Sequence, residues 1–368
     1  MLALAVAASC GGGEAPAGGQ GGVDVDTLVV AVRDTIGLET GDSTYVFGML
    51  TEVAHGSSGE IAVLDLTRAF LSVYSPAGEF LYAVGSPGPG PGEFQIPIDF
   101  AVMSDGGYAV ADAAARSISF FSPDGGFRDA MQGFFPTPPM VIEGSPGGTF
   151  VGQAFAMEIT EEGVEAFVEV SRWSDSTAAD LVYESLPMAL SMEGEGRVTS
   201  AGREPEVDFA VGPDGSVFIA EISDTLFSVR GFTPEGELFL DLREEPERVP
   251  LTTEELEAGS LALSIRVSDG ETVADMSRSE DVYPWRNVIA SVGVDSLERI
   301  WVEMQNEDRP VFRVYDYDGN LLFYAVTDPP FSPLTRPYFT VDRGGIVACD
   351  RDPVDYPKVY VCELQDDR

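Results

Sequence analysis

Histidine and lysine are almost missing from this chain of 368 residues, which carries one of each, His55 and Lys358. A single imidazole cannot supply the two or three ligands of a histidine-based zinc site, nor does it encourage a histidine-centred triad. Positive charge is scarce altogether. Only 21 Lys and Arg stand against 62 Asp and Glu, a formal charge of -41, so the basic footprint that nucleic-acid phosphates require is absent. No apolar run approaches the roughly 20 residues that span a bilayer, and no Gly-x-Ser-x-Gly elbow or comparable nucleophile constellation occurs. What is present is 44% hydrophobic and 23% charged residues, enough to bury a core, so the acid excess belongs to the surface. The 40 glycines and 25 prolines imply many turns, and an all-β fold of this length can be a single unit. The twenty-to-one excess of arginine over lysine is a chain-wide bias that suggests base composition or a saline habitat before any local function.

Met1 to Ala8 form a short apolar run ending in Ala7-Ala8-Ser9-Cys10, followed by a Gly/Ala/Pro tether to about Gly22. Small residues before a cysteine resemble the bacterial lipobox, which implies lipidation of Cys10. The match departs from the pattern in having no basic residue before the run and Ala7 where leucine is usual. The expectation is an exported, membrane-anchored lipoprotein, periplasmic or cell-surface, with residues 1–22 as signal and tether and 23–368 as one domain. An oxidising compartment permits disulfides. Cys349 and Cys362 flank Asp355 and Tyr356 symmetrically, and a symmetric hairpin would place them opposite each other for a bridge; the alternative is two buried free thiols.

Self-similarity carries the fold. Asp99-Phe-Ala-Val-Met-Ser-Asp-Gly-Gly-Tyr108 followed by Ser117-Ile-Ser-Phe-Phe-Ser-Pro-Asp-Gly125 recurs as Asp208-Phe-Ala-Val-Gly-Pro-Asp-Gly-Ser-Val217 followed by Thr225 to Leu238. Both read as strand, Asp-Gly turn, strand, acid, loop, strand, Pro-acid-Gly turn, strand. The frame returns at Leu50 to Leu81, Ile289 to Leu322 and Phe339 to Leu364, with a worn copy at Met140 to Leu181. First turns fall at Gly59, Gly107, Gly148, Gly215, Glu298 and Gly345, so the predicted fold is all-β, a six-bladed β-propeller. The last copy has three strands, and Thr27 to Thr35 is a strand without a blade; pairing them would close the ring. The connector Val84-Gly-Ser-Pro-Gly-Pro-Gly-Pro-Gly-Glu-Phe-Gln-Ile-Pro97 resembles the NHL-repeat propellers. That resemblance covers roughly residues 26 to 364 and is specific for architecture, permissive for function.

In such blades the turns joining strands one to two and three to four share one face of the disc. The two-to-three loops and the blade connectors share the other. Acids at second-strand ends, Asp65, Asp112, Glu221, Glu303 and Asp350, with Gln153 in the worn copy, therefore gather on the connector face, followed by Arg68, Arg116 and Arg351. NHL-like blades use this acid to hold the next loop by side-chain to backbone hydrogen bonds. The same carboxylates are the candidate ligands for a metal, which in an oxygen-only site would be calcium. The longest connector, about 244–288, is read as a helical insertion with Thr252 and Glu255 spaced as a capping box, continuing to Tyr283, Trp285 and Arg286. With Phe134, Phe135, Phe331, Arg336, Tyr338, Arg68 and Arg116 these form a candidate binding face. The function expected is a monomeric binding module for a protein, peptide or glycan, the alternative a calcium-dependent propeller enzyme of lactonase, lyase or hydrolase type. A third possibility is a scaffold without a small-molecule site.

Overall fold

The computed structural model describes residues 25–366 apart from 161–162, 189, 194–196, 201–204, 259, 269–270, 280–282 and 354. Cys10, the lipobox and the tether lie outside them. Strand β1 is Thr27–Ile36. Blade 1 comprises β2 (Leu50–His55), β3 (Ile61–Asp65), β4 (Phe70–Tyr74) and β5 (Phe80–Val84). Blade 2 comprises β6 (Pro97–Val102), β7 (Tyr108–Asp112), β8 (Ser117–Phe121) and β9 (Phe127–Gln132). Blade 3 is β10 (Val141–Gly144), β11 (Phe150–Thr160), β12 (Gly163–Trp173) and β13 (Leu181–Met188). A hairpin, β14 (Leu190–Glu193) and β15 (Arg197–Ser200), precedes blade 4, which is β16 (Val207–Val211), β17 (Val217–Glu221), β18 (Phe227–Phe232) and β19 (Leu238–Glu244). Helix α1 (Thr253–Ala258) and the hairpin β20 (Ser260–Ser268) with β21 (Glu271–Ser279) fill the next connector. Blade 5 is β22 (Ile289–Val294), β23 (Ile300–Met304), β24 (Val311–Tyr315) and β25 (Leu321–Asp328); blade 6 is β26 (Tyr338–Asp342), β27 (Gly345–Cys349) and β28 (Val359–Asp366). The six-bladed propeller and each copy of the repeat are as the sequence predicts.

β1 closes the ring as expected. It pairs antiparallel with β28 from Leu28–Asp366 to Ile36–Val359 and is the fourth strand of blade 6. It also runs parallel to β25, with Thr27 opposite Tyr324 and Ala31 opposite Asp328, so blades 5 and 6 join into one eight-stranded sheet. Val30 is fully buried there.

Alternating apolar residues put side chains on both faces of every blade, so the core lies between blades instead of at the axis. Six clusters result, one per interface. Leu64, Val73 and Val84 meet Phe100 and Val110 between blades 1 and 2; Val302 and Ile300 meet Phe218 and Val229 between blades 5 and 4. The glycine-rich connector after β5 works through Phe94, which is 1% exposed and anchors residues 85–96 in the first of these interfaces. Burying that ring contributes about 2–3 kcal/mol. Gly85 has φ +74, and its missing Cβ leaves the space the Phe94 ring occupies.

Two expectations need correction. Cys349 and Cys362 are buried free thiols. The 350–358 loop is asymmetric, so Cys349 pairs with Val359 and Cys362 with Ile346. Cys349 packs towards blade 1 and Cys362 towards blade 5, on opposite faces of the sheet, where no rotamer can bridge them. The long connector is also less helical than read: among its described residues six form a helix, and a β-hairpin follows. The capping box itself forms, with Thr252 N–H donating to Glu255 Oε2 at 2.8 Å and Glu255 N–H to Thr252 Oγ1 at 3.2 Å.

Candidate functional site

The inner strands β2, β6, β10, β16, β22 and β26 surround the axis, and their inward edges leave main-chain amides without ladder partners. A buried amide must find an acceptor. In four of the blades the inner strand supplies a carboxylate to the next blade's amide. Asp99 Oδ2 accepts from Ile142 N–H, Glu143 Oε2 from Val211 N–H and Asp208 Oδ2 from Val292 N–H, each at 2.7 Å. Asp342 Oδ2 accepts from His55 N–H at 2.8 Å, joining blade 6 to blade 1. A partial ring of inter-blade hydrogen bonds thus encircles the channel.

These acids line a cavity of about 350 Å³ together with Glu52, Ala54, His55, Tyr338 and Thr340. Burial pushes the carboxyls of Asp99 and Glu143 well above their ordinary range, Asp208 up to about 7 and Glu52 upward, since a charged carboxylate loses hydration near the axis. At the connector end, Arg351 places its guanidinium 3.3 Å from the centroid of the Tyr338 ring and donates from Nη2 to Glu52 Oε2 at 2.8 Å. Thr340 Oγ1 donates to Glu52 Oε1 at 2.8 Å. At the other end the lining continues into exposed residues of the first-to-second turns, Ser57, Ser104, Arg343 and Gly344. The cavity therefore opens on the face opposite the connectors.

His55 sits near that mouth. Its Nδ1 is 2.9 Å from Asp342 Oδ1, and the same oxygen accepts from Gly344 N–H at 2.8 Å. The His55 side chain is 9% exposed. Gly344 permits the close approach, because a Cβ there would occupy the space of the imidazole ring. A sequence reading that counts one histidine misses this pair, since 287 residues separate its members. The channel acids did leave a signal: Glu52, Asp99 and Asp208 each stand nine residues before the start of their blade's second strand, at Ile61, Tyr108 and Val217.

The second-strand acids divide. Asp65 accepts from the amides of Gly48, Met49 and Arg68 at 2.7, 3.2 and 3.1 Å. Asp112 accepts from Gln95, Ile96 and Ala115 at 2.7, 3.2 and 2.9 Å. Both thereby fasten the incoming connector and the following loop. Asp350 accepts from the Tyr360 hydroxyl at 3.0 Å, and Glu221 ends β17 opposite Val207. Glu303 is displaced from the set. Met304 pairs with Ile289 as Asp65 pairs with Leu50, so Glu303 stands one residue earlier and faces the other side of its sheet. There it accepts from Ser291 Oγ at 3.2 Å, and burial pushes its carboxyl up to about 7. Among the described residues no three His, Cys, Asp or Glu side chains converge as a metal site, so the structure does not bring these acids together around an ion.

The candidate binding face disperses in the same way. Arg286 is 5% exposed; its Nε and Nη2 each lie 2.9 Å from a Glu255 oxygen and its Nη1 2.9 Å from Asp308, which rivets the long connector to blade 5. Arg336 donates to the Met304 and Glu307 carbonyls, each at 3.1 Å. Arg68 stacks 4.4 Å from the Phe70 centroid, and Arg116 holds the amides of Gly133 and Phe134 by its own carbonyl. Phe134 is buried and Phe331 packs on Phe339 and Tyr360. Tyr283 and Phe135 are exposed, and Trp285 lies under the Arg248 guanidinium at 4.4 Å. Only Tyr338 of the predicted set reaches the cavity.

A family described as a 6-bladed beta-propeller (DUF5128) matches residues 25–127, which span β1, blade 1 and blade 2 as far as the start of β9. No curated protein matches the chain. Among solved structures, a member of the duf4221 family from Bacteroides vulgatus is 9% identical, covering 92% of this chain and 99% of that one at a TM-score of 0.47. The WD40 repeats of RRP9 are 10% identical over 91% of this chain and 100% of theirs, TM-score 0.46. Streptogramin B lyase is 11% identical over 90% and 97%, TM-score 0.46.

Proposed function

We propose that this protein is an extracytoplasmic binding module, tethered through Cys10, that takes a small polar ligand into its axial cavity from the face carrying the first-to-second turns. The observation that carries the reading is the cavity of about 350 Å³ lined by inner-strand side chains. Its volume holds roughly a dozen water-sized groups, each about 30 Å³, and few convergent polar groups on an otherwise apolar wall are what a small-molecule site requires. The connector face supports this reading by elimination, because Arg286 and Arg336 are engaged in holding the loops. The calcium-enzyme alternative draws no support from the carboxylates, whose oxygens serve main-chain amides at Asp65, Asp112, Asp99 and Asp208.

The test is a ligand screen by thermal shift on the wild type and on Ala54→Phe, which places a ring in the cavity. Ligands that stabilise the wild type by RT ln(1 + [L]/Kd) are expected to lose their effect in the variant. Hits that survive Ala54→Phe but vanish when residues 245–287 are replaced by a short linker would move the site to the connector face.

A further inference from the structure

Carboxyl groups dominate the polar lining of the cavity, at Glu52, Asp99, Glu143, Asp208 and Asp342. Asp342 is held by three donors, the amides of His55 and Gly344 and the imidazole Nδ1. The contact with Asp342 engages Nδ1 and leaves Nε2 as the ring nitrogen that Asp342 does not hold. That nitrogen meets no protein donor or acceptor among the described residues, although the side chain is nine-tenths buried and lines the cavity. Glu143 is in the same situation. One of its oxygens serves Val211, and Oε1 has no protein partner among the described residues. Two of the lining residues already bind an organic cation of the chain itself, the Arg351 guanidinium, which is seated on the Tyr338 ring and Glu52.

Resting on the reading of the cavity as the ligand site, we infer that its ligand is an organic cation, an amine or guanidine whose N–H donors pair with His55 Nε2 and Glu143 Oε1. A cavity lined by Glu52, Asp99, Glu143, Asp208 and Asp342, with one Glu143 oxygen unengaged, matches a ligand that brings donors and positive charge. An anion or an acceptor-rich sugar acid would face Glu52, Asp99, Glu143 and Asp208, against side-chain donors at Tyr338 and, at the mouth, Ser57, Ser104 and Arg343. A metal ion is a poorer fit than an amine, because Asp99, Glu143 and Asp208 each have one oxygen fixed by an amide and Glu52 has both fixed, by a hydroxyl and by Arg351. Burial raises the proton affinity of Glu143 and Asp208, so an entering cation would displace protons from them.

Titration calorimetry with three probes tests the assignment: spermidine as the organic cation, 1,5-pentanediol as a neutral donor-bearing chain, and calcium chloride as the metal alone. Spermidine is expected to bind with one-to-one stoichiometry. Glu143→Gln, which retains an acceptor for the Val211 amide, and His55→Phe should each weaken it at least tenfold, while Ala54→Phe abolishes it. Circular dichroism and melting of each variant establish that it is folded. Spermidine binding that Glu143→Gln leaves unchanged overturns the inference, as does calcium binding that Glu143→Gln removes while spermidine fails to bind. If the diol binds in an Ala54→Phe-sensitive way and spermidine does not, the cation assignment falls and the cavity reading stands; if binding by any probe persists in Ala54→Phe, the cavity reading falls with it.

Discussion

Asp112 holds three main-chain amides with two oxygens, and this explains why an acid recurs at that place in the repeat. Removing the acceptor leaves buried donors unsatisfied, at about 1–3 kcal/mol each where water cannot replace it. Asp112→Ala is expected to lower unfolding free energy by about 3 kcal/mol in urea titrations and Asp112→Asn, which keeps one acceptor, by about half as much. Asp241→Ala, at an exposed ion pair with Arg243, should change stability by less than about 0.5 kcal/mol. Equal effects at 112 and 241 would refute the anchoring role. The structural role of Asp65 and Asp112 was legible from their repetition at strand ends. That of Glu303 was not, because a one-residue offset in register reverses the face on which a strand side chain lies.

At the scale of elements, β1 is the one strand contributed from the opposite end of the chain, and it is held on both edges by β28 and β25. Val30, fully buried in the interface between blades 5 and 6, cannot accept a charge without partners. Val30→Asp is expected to cost at least about 3 kcal/mol and to broaden the unfolding transition as the ring opens. Val29→Ile, a β-branched apolar exchange at a half-buried neighbour, should cost under about 1.5 kcal/mol. A Val30→Asp variant that melts like the wild type would show that closure adds nothing. The three-stranded last copy and the bladeless strand at residues 27–35 made this closure readable in the sequence. The helix expected in the long connector reduced to α1 because a capping box fixes where a helix starts and says little about how far it continues.

For the whole molecule, the formal charge of -41 and the buried acids act in the same direction. Asp208 and Glu303, each pushed up to about 7 by burial, retain protons in the folded state at pH values where the unfolded chain has released them. Their contribution is complete below the ordinary carboxylate range and is lost as pH rises through about 7. Exposed acids such as Asp42 and Asp124, whose affinity for protons is lowered by hydrogen bonds to Thr44 and Ser122, act only at lower pH. Unfolding free energy is therefore expected to fall by a few kcal/mol between pH 4.5 and 7.5, with Asp208→Asn reducing the slope. Added salt should stabilise the protein more at pH 7.5 than at pH 4.5, because more like charges are then screened. A flat profile, or one unchanged in Asp208→Asn, would contradict the burial of these groups. The sequence by itself determined the blade count, the closure by β1 and the scarcity of positive charge, since turn spacing, strand alternation and composition are local properties. Only the tertiary structure decided which acids share the axis, that His55 meets Asp342 and that Cys349 and Cys362 lie on opposite faces. Those outcomes depend on register and on ring closure, which bring together residues from blades far apart along the chain.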